Sequence, residues 1–408
     1  MLRSMYAGIS GMKNFQTKLD VIANNIANVN TYGYKKSRVT FQDLVSQQIA
    51  GASSPRADRG GTNPQQVGLG SMIGSIDTIH TPGSIQPTGR PLDLAISGDG
   101  FFIVNEGNAQ FYTRAGNFYI DRQGNLVTAN GLKVQGYGVN AQGQIDDSGL
   151  IDLQIDSGAF MPPTPTTQAA ISGNINSGLQ QGGTAQLKLT VIDSLGNEQP
   201  LTLTLTKSAN PNEWSYTFTS SSGGTVGGTS SGTLTFDNQG NLVSPQQVNI
   251  SLTNLPSGAA DMNGMAFDLS QITQISSGNT LELAERNGNL EGYLESFSIG
   301  SSGEITGVYS NGEVNLLGQI ALATFSNAGG LTKEGSNLFR ESNNSGFANI
   351  GVAGDGRGTL TGSALEMSNV DLATAFTEMI VAQRGFQANT RIITTSDQIL
   401  QELVNLKR

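Results

Sequence analysis

The 408-residue chain contains no cysteine, which excludes a disulfide framework and any thiolate metal site. It holds one histidine, His80, and one tryptophan, Trp214. A single imidazole excludes His-rich metal sites, and a single indole leaves little with which to build an extended sugar-stacking groove. Charged residues are scarce at 13%, about half the roughly 25% of an ordinary soluble protein. Basic residues are outnumbered, giving a formal net charge of −10. Neutralising phosphates needs clustered Lys and Arg, so nucleic acid and anionic membrane surfaces are poor partners for this chain. No window reaches the roughly 18 apolar residues of a membrane-spanning helix. The N-terminal Met1-Leu2-Arg3-Ser4-Met5 run, broken by Ser10, Gly11 and Lys13, lacks the layout of a cleaved signal peptide.

What replaces charge is Gly, Ser, Thr, Asn and Gln, with 53 glycines. This composition suits short strands joined by many turns, and the length suits about two to three domains. The two ends differ from the middle. Leu2, Met5, Ile9, Met12, Phe15, Leu19, Ile22, Ile26 and Val29 recur at helical spacing, with one slip near Met12. Asn28, Asn30, Thr31 and Gly33 then supply stop signals. At the other end Leu365, Leu372, Met379, Phe386, Ile393 and Leu400 fall at intervals of seven. Ala375, Ala382 and Leu403 form a second row, weakened by Ser368, Asn389 and Ser396. Heptads at both extremities of a β-rich chain predict a coiled-coil stem; an amphipathic helix lying on its own domain is the alternative.

Between the ends, Ile96–Asn105, Phe111–Ile120, Leu187–Ile192, Leu201–Thr206, Glu213–Thr219 and Leu316–Phe325 read as strands. Asp121-Arg122-Gln123-Gly124-Asn125 and Asp237-Asn238-Gln239-Gly240-Asn241 nearly repeat each other. They read as hairpin turns rather than calcium loops, lacking the alternating oxygen ligands and closing glutamate of an EF-hand. Ala50–Gln66 and the proline-rich Met161–Thr167 read as linkers, and Ser220–Gly232 as one long hairpin loop. Chemistry is hard to find. Gly228-Thr229-Ser230-Ser231-Gly232 fits a serine-nucleophile pattern, but it lies in a Gly/Ser run with the only histidine earlier in the chain. Gly354, Gly356 and Gly358 lack the last glycine of a dinucleotide fingerprint, with Thr359 in its place. His80, before Thr81-Pro82, reads as a surface or strand-end histidine. No catalytic residue, cofactor site or metal site is assigned.

Several longer blocks are more specific. Leu19-Asp20-Val21-Ile22-Ala23-Asn24-Asn25-Ile26-Ala27-Asn28, continuing through Thr31-Tyr32-Gly33-Tyr34-Lys35, resembles the N-terminal signature of flagellar rod and hook proteins. Gly98-Asp99-Gly100-Phe101-Phe102, Thr113-Arg114-Ala115-Gly116-Asn117-Phe118, and Ser368-Asn369-Val370-Asp371 with Ile380-Val381-Ala382-Gln383-Arg384-Gly385-Phe386 match the same family in order. Within it, the length and a large insert at 162–288 resemble a hook subunit, while Val45–Gln66 resembles a distal-rod feature, so a distal-rod subunit is the alternative.

The resemblance implies a non-enzymatic subunit of a helical tube, joining rod to filament and transmitting torque as a flexible joint. It implies a mainly β fold with α-helical termini, its discontinuous β domains stacked on a terminal coiled-coil stem. The expected domains are 1–30 with 365–408 (helical tube), 31–75 with 355–364 (connecting segment), 76–161 with 289–354 (inner β) and 162–288 (outer β). Implied partners are further copies of the chain, rod, hook-cap and hook–filament junction proteins, and the flagellar type III export apparatus, without nucleic acid or membrane insertion. Implied localisation is the extracellular flagellum, reached without a cleaved signal peptide. Leu2, Met5, Ile9, Leu19, Ile22, Ile26, Leu365, Leu372, Met379, Phe386, Ile393 and Leu400 are the candidate subunit-interface residues.

Isolated helices of this size are marginal in water, so Met1–Asn30 and Leu365–Arg408 should be largely disordered in the monomer. Limited proteolysis should trim both ends of the monomer and spare them in the polymer; ends equally protected in the two states would overturn this.

Overall fold

The fold was analysed in a computed structural model, which describes residues 2–55, 58–107, 109–140, 142–156, 158 and 160–405; of Leu2 and Leu403 only the backbone is described. The chain is mostly β, with one long helix at each end: α1, Leu2–Ala27, and α2, Leu372–Asn405. Neither helix is long and apolar enough to cross a membrane. The chain divides into two compact units, Met1–Asp156 with Phe297–Thr306 and Leu316–Arg408, and Ser157–Ser296 with Gly307–Asn315.

The second unit carries two five-stranded sheets. In one, Thr184–Ile192, Glu198–Lys207, Glu213–Ser220, Ser231–Phe236 and Leu242–Ser244 follow each other as an antiparallel meander. Its longer strands alternate buried and exposed residues, as a sheet with one wet face must. In the other, Gln168–Asn176 runs parallel to Met262–Ile275, with Gln247–Thr253, Thr225–Gly228 and Glu282–Arg286 completing the sheet. The inner faces share one core that includes Leu189, Leu203, Phe218, Ile250, Phe267 and Ile272. Trp214 is wholly buried in it, with its Nε1–H donating to Gln274 Oε1 at 2.8 Å.

Both repeated turns close as read. The Asp237 carboxylate accepts the backbone N–H of Gln239 and Asn241, each at 2.8 Å, and Asp121 does the same for Gln123 and Asn125. Asp193 builds a third such turn, accepting from Leu195 and Asn197. Committed to backbone donors, these carboxylates brace hairpins.

Two readings need correction. Ser220–Gly232 is not one loop: Thr225–Gly228 forms a strand that leaves the meander and joins the opposite sheet beside Gln247–Thr253. Val226 gives the reason, packing its side chain against the shared core. Ala50–Gln66 is not a plain linker either. Ser46–Ala50 pairs with Gln65–Gly68 as an exposed ribbon, extended by a bridge between Ser53 and Thr62.

In the first unit a sheet holds Phe101–Glu106, Ala109–Thr113, Lys133–Val139, Val314–Thr324, Leu338–Arg340 and Asn349–Val352. Phe101, Ile103, Tyr112, Ala321, Ala323, Leu331 and Phe339 form its core. The expected strand 96–105 is broken at Gly98–Gly100 into Leu94–Ser97 and Phe101–Glu106, because the chain turns there to receive Gly358, whose N–H donates to Asp99 O. The glycine cluster at 354–358 is thus a tight turn against the sheet rather than a flexible connection.

Leu203 sits wholly buried in the second unit's core. Leu203→Ala should lower that unit's stability by about 2–5 kcal/mol, read as an earlier denaturant midpoint for Trp214 fluorescence, which no other indole contaminates.

Candidate assembly site

The helices lie against each other along a seam of small residues. Ile22, Ala375 and Ala382 are buried there, with Phe15, Leu19, Ile26, Val370 and Met379 packed around them. Close approach is enforced by glycine. A Cβ on Gly385 would stand 2.6 Å from the Phe15 ring, and one on Gly11 would stand 2.8 Å from Asn389 Oδ1. The Ala375/Ala382 row, expected to be the weaker one, therefore forms the centre of the seam.

The sequence candidates divide accordingly. Leu19, Ile22, Ile26 and Met379 meet in the seam. Met5, Ile9, Phe386, Ile393 and Leu400 are half-buried on their helices. Leu372 is 41% exposed. The side chain of Leu2 lies outside the described residues. Leu365 must be corrected: it is not on the helix. It sits in the short strand Ala364–Glu366, paired with Ile85–Pro87 and buried within the subunit. Its heptad spacing continues across a chain that is still extended, because Asp371 starts the helix. The Asp371 carboxylate accepts Ala373 N–H at 2.9 Å and Thr374 Oγ1–H at 2.7 Å, capping the first turn. The heptad count also misses two exposed apolar flanks of α2, one at Leu372, Phe376 and Ile380 and another at Ile392 and Ile399. Phe376, Ile380, Ile392 and Ile399 join Leu372 as large apolar side chains left 41–56% exposed.

Both helix roots are fixed to the β body by a buried ionic cluster. Lys35 Nζ lies 2.6 Å from Glu366 Oε1, and Arg114 Nη1 lies 3.2 Å from Glu366 Oε2, with all three side chains at most 1% exposed. The remaining valences are satisfied by backbone. Lys35 donates to Thr81 O at 2.8 Å, Arg114 Nη2 to Gly98 O at 2.7 Å, and Gly83 N–H to Glu366 Oε1 at 2.8 Å. Burial lowers the pKa of Lys35 and of Arg114, and Glu366 opposes that shift in both. Gly33, at φ +70°, lets the backbone reach Glu366 O through its N–H at 2.8 Å; a side chain there would strike Arg114 and Ala115.

Asparagines complete the clamp. Asn25 imitates a strand partner, donating to Ser37 O at 2.7 Å and accepting Ser37 N–H at 2.9 Å, while Tyr34 Oη donates to its carbonyl. Asn369 accepts Lys36 N–H and donates to Ile79 O, both at 2.8 Å. The motif blocks, scattered over the sequence, are thus one contact network. Glu366 is the residue that sequence reading missed. The available signal was two motif blocks of Gly and aromatics, Thr31–Lys35 and Thr113–Phe118, that contain the cations Lys35 and Arg114 with no anion assigned to them.

His80 follows the strand Ser71–Thr78 but is not a surface group. Its ring lies edge-on to Phe101 and Phe339, with centroids 5.5 and 5.2 Å away, and both ring nitrogens are buried without a well-formed hydrogen bond. Burial, then the charges of Lys35, Arg114 and Lys333, push its pKa from 6.5 down to about 4. Among the described residues no cluster of three or more His, Asp or Glu side chains could hold a metal ion.

Comparison with known proteins gives four family matches. Residues 5–35 match "Flagella basal body rod protein", 95–174 "Flagellar hook protein FlgE/F/G D1 domain", 154–289 "Flagellar basal body protein FlaE D2 domain", and 361–406 "Flagellar basal body rod FlgEFG protein C-terminal". The chain is 42% identical to the flagellar hook protein FlgE of Borreliella burgdorferi over the whole of both chains. It is 40% identical to the flagellar basal-body rod protein FlgG of Bacillus subtilis, again over both whole chains. A solved structure of the Helicobacter pylori flagellar hook protein FlgE2 superposes with a TM-score of 0.50 at 15% identity, covering 69% of this chain and all of that one, a likeness of fold.

Removing Glu366 strands two buried cations. Glu366→Ala should cost about 3–5 kcal/mol, measured by thermal or denaturant unfolding of the first unit, whereas Asp77→Ala, in an exposed pair with Arg38, should cost under about 1 kcal/mol.

Proposed function

The chain belongs to the family of flagellar rod and hook proteins, and on that premise we propose that its paired terminal helices are the element through which copies of it polymerise. It is a structural subunit of the flagellar hook and not an enzyme. The observation that carries the reading is that five large apolar side chains of α2 stay uncovered within one subunit, Leu372, Phe376 and Ile380 on one flank and Ile392 and Ile399 on another. Each is already about half buried, so covering the rest contributes about 0.7–1.5 kcal/mol, against association costs of about 4–15 kcal/mol plus ordering. One neighbour barely balances that sum, so a stable contact needs several copies around each pair. Contacts between unlike patches do not close after two subunits and build an open helix. Of the residues first picked as interface, Met5, Ile9, Phe386 and Leu400, half-buried on their helices, extend this surface, while Leu19, Ile22, Ile26, Met379 and Ile393 hold the pair together.

The outer surface serves bending. Low charge and many small polar side chains give contacts between neighbours that exchange without strong registry. The finer partners are the rod below, the cap and junction proteins above, and the type III export apparatus, with export proceeding without cleavage of a signal peptide. A distal-rod role is the second reading, favoured by the name of the Bacillus relative and by the exposed ribbon at 46–68. Electron microscopy of basal bodies from a strain lacking the gene separates them. Complete rods without hooks are expected; truncated rods would assign the chain to the rod, and normal flagella would overturn both.

A further inference from the structure

The segment Ile79-His80-Thr81 is where the two helix roots meet the β body. Ile79 N–H donates to Lys36 O at 2.9 Å. Asn369, just before α2, donates through Nδ2 to Ile79 O at 2.8 Å and to Thr81 O and Oγ1, each at 3.2 Å. Lys35, just after α1, donates to Thr81 O at 2.8 Å. Every one of these bonds flanks His80, so the position of its ring sets the position of the carbonyls that hold both roots. The ring itself is wedged between Phe101 and Phe339, neither nitrogen makes a well-formed hydrogen bond, and the backbone of Ala328 is the one polar group that favours its charged form.

Its charged neighbours are unfavourable. Lys35 comes from the root of α1, Arg114 from the loop after strand Ala109–Thr113, and Lys333 from strand Thr332–Gly335. The anions of the neighbourhood are already committed. Glu366 is shared by Lys35 and Arg114, and Asp99 acts on the same two cations. Glu341 is taken by the hydroxyl of Tyr112 at 2.8 Å and by Ala348 N–H at 3.0 Å. A fourth positive charge would meet only the Ala328 backbone, which burial and the three cations outweigh.

We propose that His80 is an acid-sensitive latch: the neutral imidazole holds Ile79–Thr81 in the apolar slot and so clamps both terminal helices, and its protonation expels the segment and frees them. A proton-bearing ring can gain water only by leaving the slot, which draws the carbonyls of residues 79 and 81 away from Lys35 and Asn369, and the Ile79 N–H away from Lys36 O. The sign follows from linkage. A histidine whose folded pKa is depressed favours the closed state fully above the open-state value of 6.5 and loses that contribution as pH falls toward about 4. The opening constant therefore rises about tenfold for each pH unit across that window.

The test uses the full-length chain. Hydrogen exchange at residues 33–36, 79–83 and 367–369, corrected for intrinsic rates, should show this tenfold-per-unit rise between pH 6.5 and 4, with residues 184–220 unaffected. His80→Gln, neutral at every pH, should remove that slope. A slope equally steep in His80→Gln would assign the acid response to carboxylates and overturn the latch. Should the variant fold poorly, the wild-type chain is sufficient, because its single histidine gives an unambiguous imidazole NMR signal. Titration of that signal well below 6.5, together with loss of the root contacts, is the expected result; titration near 6.5 with the roots still closed would overturn the proposal.

Discussion

A single carboxylate, Glu366, is the point on which the first unit is assembled. It lies in the extended chain just before α2, yet its two oxygens hold Lys35 from beyond α1 and Arg114 from the β body. Three segments that are remote in sequence are thereby fixed at one point. Removing a carboxylate and two cations from water is costly, and their mutual attraction offsets this only if all remaining hydrogen-bond valences are met. Here carbonyls of Gly98 and Thr81 and the N–H of Gly83 meet them. An apolar cluster of equal volume could be as stable, but it would tolerate several arrangements. The ionic one accepts a narrow geometry, which suits a joint between a helical stem and a β body.

Around that joint the other features fall into a mechanical order. The asparagines act as side-chain strands, giving the backbone at Ser37 and at Ile79 the partners that a sheet would otherwise supply. The aromatic cluster of Phe101, Phe325, Phe339 and Tyr112, with edge-on ring contacts of 4.8–5.8 Å, gives the joint a rigid floor. The second unit keeps its own core and its own self-contained turns, so substitutions there can change its outer surface without disturbing the stem.

The sequence was legible where structure is local. Helical spacing located α1 and α2, apolar runs bounded by turns located the first three strands of the second unit's meander but none of the opposite sheet, and Asp-x-x-Gly-Asn marked turns that close through their own carboxylate. It was misleading where a periodic pattern crosses a conformational boundary. Leu365 keeps the heptad of α2 although Asp371 starts the helix six residues later. A glycine-rich run was read as a loop, yet Val226 carries a strand across to the other sheet. What could not be read was long-range pairing. Nothing local to Glu366 announces Lys35, 331 residues away, and nothing local to His80 announces the phenylalanines that bury it. The motif blocks were identifiable as a family resemblance long before their physical reason, a shared contact network, was visible.

The fit of Phe15 over Gly385, with Asn389 against Gly11 and Ile393 against Gly8, makes the helix pair a keyed shaft. Each of these groups occupies the space that a glycine leaves on the other helix. Sliding one helix along the other by less than a turn would drive these groups into Cβ atoms, so the next available alignment is about 5.4 Å away. Under axial load such a pair does not creep. It holds its alignment or jumps a full notch.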